Sequence, residues 1–274
     1  MEAFVAKREA NGVATFRLAT WESQFVGLSA GFSSRIGGVS GDAFNSLNCA
    51  LHVADDPQAV LENRRRLAAA AGFPFEAWTC GEQVHDRNVA VISRSDRGKG
   101  RVDRESAVAE TDALITADED IMLVSFYADC VPLYFYDPVR RVVGLAHAGW
   151  MGTAKHIARH TVETMRDKLS CDPSNILAAI GPAIGMCCYE VDEAVIRTMR
   201  QSDIEAGWSR KENGKYMLNL KEINEQILRK AGILPTHIEI TNLCTSCQQE
   251  WFFSHRRDKG RSGRMASWIG MMKR

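Results

Sequence analysis

The sequence carries no excess of either charge. Lysine and arginine together number 34, as do aspartate and glutamate. The overall balance therefore builds no field that would draw nucleic acid or an anionic membrane. Long apolar runs are missing too: none approaches the about 20 residues that span a bilayer as a helix. The opening residues, Met1–Glu9, lack the basic start and apolar stretch of a secretion signal, so a cytoplasmic protein is expected. Eight cysteines in 274 residues are too few for a disulfide scaffold and read as reduced thiols. There is no Pro- or Ser-rich linker, internal repeat or low-complexity tract, and residues 1–274 read as one domain. Histidine is also scarce, at seven, and no two are spaced His-X-His. No obligate protein partner is indicated.

What is present is the composition of a globular enzyme-sized chain, 45% hydrophobic and 25% charged. Its most informative stretch is Ile121–Trp150, which reads as successive short apolar strands holding two chemically distinct residues, Cys130 and His147. Between them, Asp137-Pro138 starts a type I turn. If Asp137–Arg140 forms the loop of a hairpin, Tyr136 faces Arg141, and Cys130 falls opposite His147. Directly opposed side chains have Cβ atoms about 4.5–5.5 Å apart. A thiolate and an imidazole at that spacing could share a metal, or one could activate the other.

Elsewhere the pattern is mixed. Asn11-Gly12 marks a hairpin between Phe4–Glu9 and Val13–Leu18. Gly31–Gly41 is a glycine-punctuated loop around one cation, Arg35, suited to an anion or simply to a surface turn. Asp55-Asp56-Pro57 starts a helix that Gly72 ends. Further helices are expected over Thr153–Leu169, Asp192–Gln201 and Lys221–Lys230, with strands over Val89–Ile92, Ile176–Ile180 and His237–Ile240. Ser93–Glu110 and Ser202–Lys215 are the expected mobile loops. Strands and helices mix without strict alternation, which favours an α+β fold with mixed sheets.

Three chemistries remain open for Cys130 and His147. With His85, which precedes an apolar run, they make a two-histidine, one-cysteine set with one position left for substrate, the pattern of catalytic zinc. Copper is less favoured, because a multicopper oxidase needs many more histidines. Without metal, Cys130 could be a nucleophile with His147 as its base, or both could be structural. Cys244-X-X-Cys247 lacks a spaced second pair, since Cys187 and Cys188 are adjacent, and reads as structural or incidental.

A family resemblance rests on many of these residues. Phe32–Ser40, Ser46-Leu47-Asn48, His52–Asp56, Glu62-Asn63-Arg64, Gln83-Val84-His85, Ala128–Pro132, Ala146–Trp150, Ile180–Pro182, Tyr189–Val191 and Ser254–Arg257 follow one another as in the laccase-domain (YfiH, multicopper polyphenol oxidoreductase) family. The resemblance implies two packed mixed β-sheets flanked by helices, and a zinc site of His85, Cys130 and His147. It implies phosphorolysis of purine nucleosides, including adenosine, inosine and methylthioadenosine, together with adenosine deamination. Nucleoside and phosphate would then be the small-molecule partners. Some members are linked instead to amide hydrolysis of a peptidoglycan precursor, and the laccase name itself denotes polyphenol oxidation. Catalytic roles are expected of Cys130, His147 and Asp129, and substrate contacts of Arg35, Gln83 and Asn48. Asp86 stands where the family usually has glycine. Met151 stands where arginine is usual, which removes a cation near the site.

Overall fold

A computed structural model describes residues 2–273. The chain begins with the expected hairpin, β1 (Val5–Arg8) and β2 (Ala14–Arg17), turning through Gly12 at φ 84°. Then follow α1 (Ala19–Gln24), β3 (Leu28–Ser33) and α2 (Pro57–Ala71). The Asp56 side chain accepts the Gln58 N–H and so caps α2, while Gly72, at φ 85°, stops it. Five short strands come next: β4 (Trp78–Cys80), β5 (Val89–Val91), β6 (Ala113–Thr116), β7 (Met122–Tyr127) and β8 (Val131–Asp137). They lead to β9 (Val142–Ala148), α3 (Trp150–Ala154), α4 (Ile157–Leu169) and β10 (Leu177–Ile180). The last third holds β11 (Glu190–Val191), α5 (Glu193–Gln201), β12 (Trp208–Arg210) and β13 (Tyr216–Leu218). It ends with α6 (Leu220–Lys230), β14 (Ile238–Ile240) and β15 (Met265–Met271).

These strands form two six-stranded mixed sheets, ordered β1-β2-β3-β15-β7-β4 and β14-β10-β8-β9-β6-β5, and a small sheet β11-β13-β12. The architecture is therefore the expected α+β fold of two packed mixed sheets flanked by helices. Alternation along the strands assigns each layer. On β8, Leu133 and Phe135 pack toward α4 and α6, whereas Tyr134 and Tyr136 face the other large sheet. On β7, Val124 and Phe126 face α2, whereas Leu123 and Tyr127 face the opposing sheet. Strands buried on both faces read as near-continuous apolar runs, which explains why residues 121–136 are broken by few polar residues, Ser125 within β7 and Asp129 between the strands. Among the described residues no helix is long and apolar enough to cross a membrane.

Two local expectations change. The hairpin β8–β9 pairs Asp137 with Val142 and Pro132 with His147, so its four-residue loop is Pro138–Arg141. The Asp137 carboxylate stays in the strand and accepts the N–H groups of Val139 (2.8 Å) and Arg140 (3.0 Å), and Arg141 takes the left-handed conformation that closes the loop. Cys130 consequently lies diagonal to His147, not directly opposite it. The shift is two residues, an even number, so the face on which His147 points is unchanged. The helix expected over Thr153–Leu169 is also broken. His156 adopts φ 58° between α3 and α4, with its Nε2 2.8 Å from the Ser202 carbonyl.

The segment Ser93–Glu110 is tied down more than its composition suggests. Arg64, on α2, is buried and donates to the carbonyls of Cys49 (2.7 Å), Gly100 (2.8 Å) and Arg101 (2.8 Å), with its guanidinium over the rings of Phe126 and Trp78. Replacing it strands three carbonyls away from water. Arg64→Met is expected to cost about 3 kcal/mol, read as a lowered urea midpoint at unchanged slope; a midpoint like that of the parent would contradict this role.

Candidate metal centre and cavity

The chain crosses between the large sheets four times, and two of these crossings, at one end of the sandwich, bring the ligand side chains together. One crossing joins β4 to β5 and carries Gln83 and His85; the other joins β7 to β8 and carries Asp129 and Cys130. His147 comes from the end of β9. The ligand atoms of His85, Cys130 and His147 all lie within 4.8 Å of one another. The two imidazole rings meet edge to face with centroids 4.8 Å apart. A Cβ at Gly149 would come 3.1 Å from the Cys130 sulfur and 3.2 Å from the His85 ring, so any side chain there would press on the cluster.

The organising group is Asp112, immediately before β6, which sequence reasoning overlooked. Its Oδ1 accepts the His85 N–H (3.0 Å) and faces His147 Nδ1 (2.9 Å); its Oδ2 accepts the N–H groups of Val84 (3.1 Å) and Asp86 (2.9 Å). Burial alone would raise this carboxyl, but His147 and these amides hold it below the ordinary carboxylate range. Because Nδ1–H of His147 is given to Asp112, Nε2 is the nitrogen left for a ligand. The only signal in sequence was an acid at the mouth of a buried strand, Asp112-Ala113-Leu114-Ile115.

Three residues of this end hold left-handed backbone: Gln83 (φ 60°), His85 (φ 61°) and Asp129 (φ 85°). Such conformations persist only when neighbours over-determine them. The Gln83 side-chain amide accepts Phe126 N–H (2.7 Å) and donates to Phe126 C=O (3.0 Å), continuing the β4–β7 pairing with a side chain. The Asp129 carboxylate accepts Thr245 Oγ1 (2.7 Å), Ser254 Oγ (3.0 Å) and the Arg256 N–H (2.7 Å). Both groups are thus engaged in shaping the turns that present their neighbours.

A cavity of about 480 Å³ opens onto the three ligand side chains, within the size range of small-molecule sites. Phe126, Trp150 and Tyr189 supply aromatic surface, and Arg256 and Arg264 supply cations. Arg256 lies over the Tyr189 ring at 5.1 Å. His52 also lines it, and its pKa is lowered to about 4, by burial first and then by Arg264, Arg104 and Arg64, which keeps the ring neutral. Met151 is in the wall, as the sequence comparison of motifs implied. Arg35 and Asn48 are not. The Arg35 guanidinium donates to the carbonyls of Asn45 (2.9 Å) and Gln249 (3.4 Å) and covers Phe253, while Asn48 is fully buried and binds Asp55, Ala50 and the Arg264 N–H. The cations that do line it are Arg256 and Arg264, from a tail segment whose sequence showed aromatics beside cations without revealing where it docks.

The donor set fits a metal ion. Burial alone would raise the Cys130 thiol, but the facing rings of His147 and His85 outweigh it and lower its pKa; burial alone would lower His147, but Cys130 and Asp112 raise it. A soft thiolate and two imidazoles with room for a further ligand match borderline divalent ions. In protein stripped of metal, the lowered Cys130 pKa keeps its thiolate populated as pH falls below the ordinary thiol range. Iodoacetamide near neutral pH should therefore label Cys130 well ahead of buried Cys49, whose pKa burial pushes up to about 12, and added zinc should protect it. Peptide mass mapping showing the reverse order would contradict this site. Asp112→Asn retains one acceptor oxygen but turns an NH₂ group toward two donors. It is expected to weaken metal binding about 10–100-fold, read by competition with a chromophoric chelator; unchanged affinity would remove Asp112 from the site.

Comparison with known proteins identifies the family. The family model described as multi-copper polyphenol oxidoreductase laccase matches residues 29–272. Purine nucleoside phosphorylase YlmD of Geobacillus stearothermophilus is 46% identical over 249 residues, covering 90% of this chain and 91% of that protein. The crystal structure of YlmD from that organism superposes with a TM-score of 0.93 at 43% identity, covering 100% of both chains. That of the Bacillus licheniformis hypothetical protein YfiH gives 0.90 at 40% identity, covering 97% of this chain and 99% of that one. On motifs, fold and coverage alike, this chain belongs to the multi-copper polyphenol oxidoreductase laccase family.

Proposed function

We propose that this protein is a metal-dependent purine nucleoside phosphorylase. The observation that carries the reading is the coincidence of the His85–Cys130–His147 cluster with two arginines and three aromatic rings in one cavity of about 480 Å³. The names of its relatives point the same way. Zinc is the metal we favour: His85, Cys130 and His147 would hold it, and seven histidines with no His-X-His pair suit zinc better than a multicopper array. When bound, the ion supplies Lewis acidity to a substrate atom.

The protein's own groups account for binding and orientation. A purine is flat and polarisable, and the rings of Tyr189, Trp150 and Phe126 offer it stacking and edge contacts. Phosphate carries charge that Arg256 and Arg264 can pair with in a partly desolvated setting. Holding both together turns attack of a phosphate oxygen on the anomeric carbon into an intramolecular event. In that step the glycosidic C–N bond breaks, the purine leaves with the bonding pair, and ribose 1-phosphate forms. Asp129 acts by fixing the turns that carry Cys130 and Arg256, since its two oxygens already accept three hydrogen bonds. Adenosine, inosine and methylthioadenosine share the recognised features and are the substrates proposed; deamination of adenosine at the same centre is a further activity of this reading.

A second reading has one observation in its favour. The lowered Cys130 pKa beside His147 is also what a cysteine nucleophile acting on an amide requires. The two separate on metal dependence. Incubated with phosphate and inosine, adenosine or methylthioadenosine, the purified protein should release the purine base and the phosphorylated sugar, and a chelator should abolish this. Arg264→Ala should raise the KM for phosphate about tenfold, the loss of roughly 1.4 kcal/mol. Inosine appearing from adenosine would report deamination. No turnover of any nucleoside by metal-loaded protein would overturn the proposal. Chelator-resistant amide hydrolysis lost on Cys130 alkylation would put the second reading in its place.

A further inference from the structure

Four cysteines that the cavity does not use also converge. Cys187 and Cys188 lie in the turn between β10 and β11, and Cys244 and Cys247 follow β14. Their sulfurs all lie within 4.8 Å of one another. The separations are 3.7 Å for Cys187–Cys244, 3.5 Å for Cys187–Cys247 and 3.4 Å for Cys188–Cys247. Four sulfurs bonded to one tetrahedral zinc at about 2.3 Å would stand roughly 3.8 Å apart. From this convergence we propose that Cys187, Cys188, Cys244 and Cys247 form a second metal site, a structural tetrathiolate zinc centre.

The adjacent pair is able to serve because its turn is tight. The N–H groups of Cys188 (3.0 Å) and Tyr189 (3.1 Å) both donate to the Gly185 carbonyl, which curls the chain so that successive side chains reach one point. The opposite side is equally prepared. The Cys244 sulfur accepts the Gly185 N–H at 3.2 Å, and the N–H groups of Ser246 and Cys247 point at it as well. Amide donors converging on a sulfur stabilise thiolate over thiol. A compensating cation is close by. The Lys221 ammonium is buried, donates to the carbonyls of Thr241 (2.8 Å) and Leu243 (3.1 Å), and feels the charge of Cys244, then of Glu2 and Cys187. A tetrathiolate holding one divalent ion is net anionic, which would add to the negative charge facing this buried ammonium.

The site has a mechanical consequence. Its two cysteine pairs are carried by the segment that places Ile184 and Tyr189 in the cavity wall and by the one leading to His255 and Arg256. A metal there would fasten these two segments together beneath the Arg256–Tyr189 contact. Closed on all four positions by protein sulfur, it would leave no place for substrate.

The test must count this metal apart from any bound at the first centre. His85→Ala combined with His147→Ala disables the first centre and leaves the cysteine cluster whole. Purified under reducing conditions and freed of excess zinc, that variant should keep one zinc per chain, with X-ray absorption at the zinc edge showing four sulfur neighbours at about 2.3 Å. Adding Cys188→Ser and Cys247→Ser should remove it. Should the histidine variant fail to fold, the same cysteine pair changed in the otherwise unaltered protein should lower bound zinc by one equivalent per chain. Retention of no zinc by the folded histidine variant would overturn the proposal. So would nitrogen or oxygen neighbours in place of sulfur, or disulfides forming among these cysteines with zinc in excess. None of these outcomes depends on which substrate the first centre serves.

Discussion

The Asp112 carboxylate receives N–H groups from Val84, His85 and Asp86 on one crossing segment and faces Nδ1 of His147 on a strand of the second sheet. One buried anion thereby holds a backbone segment in a left-handed conformation that its residues do not favour, aims the His85 side chain, and fixes the tautomer of His147. Each effect would be weak at a solvated surface. In a buried setting, charge-assisted hydrogen bonds gain strength and an unmet carboxylate becomes costly, so the arrangement is strongly preferred once the sheets have packed. The candidate metal ligands thus depend on an acid that does not itself coordinate.

The sandwich explains why the site lies where it does. Strands buried on both faces must be apolar, so polar chemistry is confined to their ends and connections. The crossings from β4 to β5 and from β7 to β8 share one end, and each steadies its turn with side-chain hydrogen bonds: Gln83 to the backbone of Phe126, and Asp129 to Thr245, Ser254 and Arg256. The last of these also brings the tail of the chain, with Arg256, over the cavity. The candidate ligands and the cavity lining are therefore set by one group of turns.

Much of this was legible in sequence, and the exceptions have physical causes. The capping residue Asp56, the stop at Gly72 and the apolar periodicity were local signals, and α2 forms where they put it. Cys130 and His147 stood out because a thiol and an imidazole are conspicuous among apolar residues. Their register was displaced because Asp137 keeps its backbone in the strand while its side chain caps the loop, a choice that turn propensities do not distinguish. Arg35 lies outside the cavity lining for a different reason. A cation in a glycine-rich loop resembles an anion site, yet two of its donors go to the Asn45 and Gln249 carbonyls, far along the chain from one another, and its guanidinium covers Phe253. The cysteine cluster was invisible to spacing rules, since Cys187 and Cys188 are adjacent and reach Cys244 and Cys247 only through a tight turn and a distant strand.

Everything above turns on His85, Cys130 and His147 sharing one metal ion, as proposed. The most direct measurement is anomalous diffraction from crystals of zinc-loaded protein, with data collected on both sides of the zinc absorption edge. A peak present only above the edge, bonded to the Cys130 sulfur, to Nε2 of His147 and to a ring nitrogen of His85, is the result predicted. Zinc-loaded crystals with no such peak among these three side chains, and with the Cys130 sulfur in contact only with protein, would contradict it.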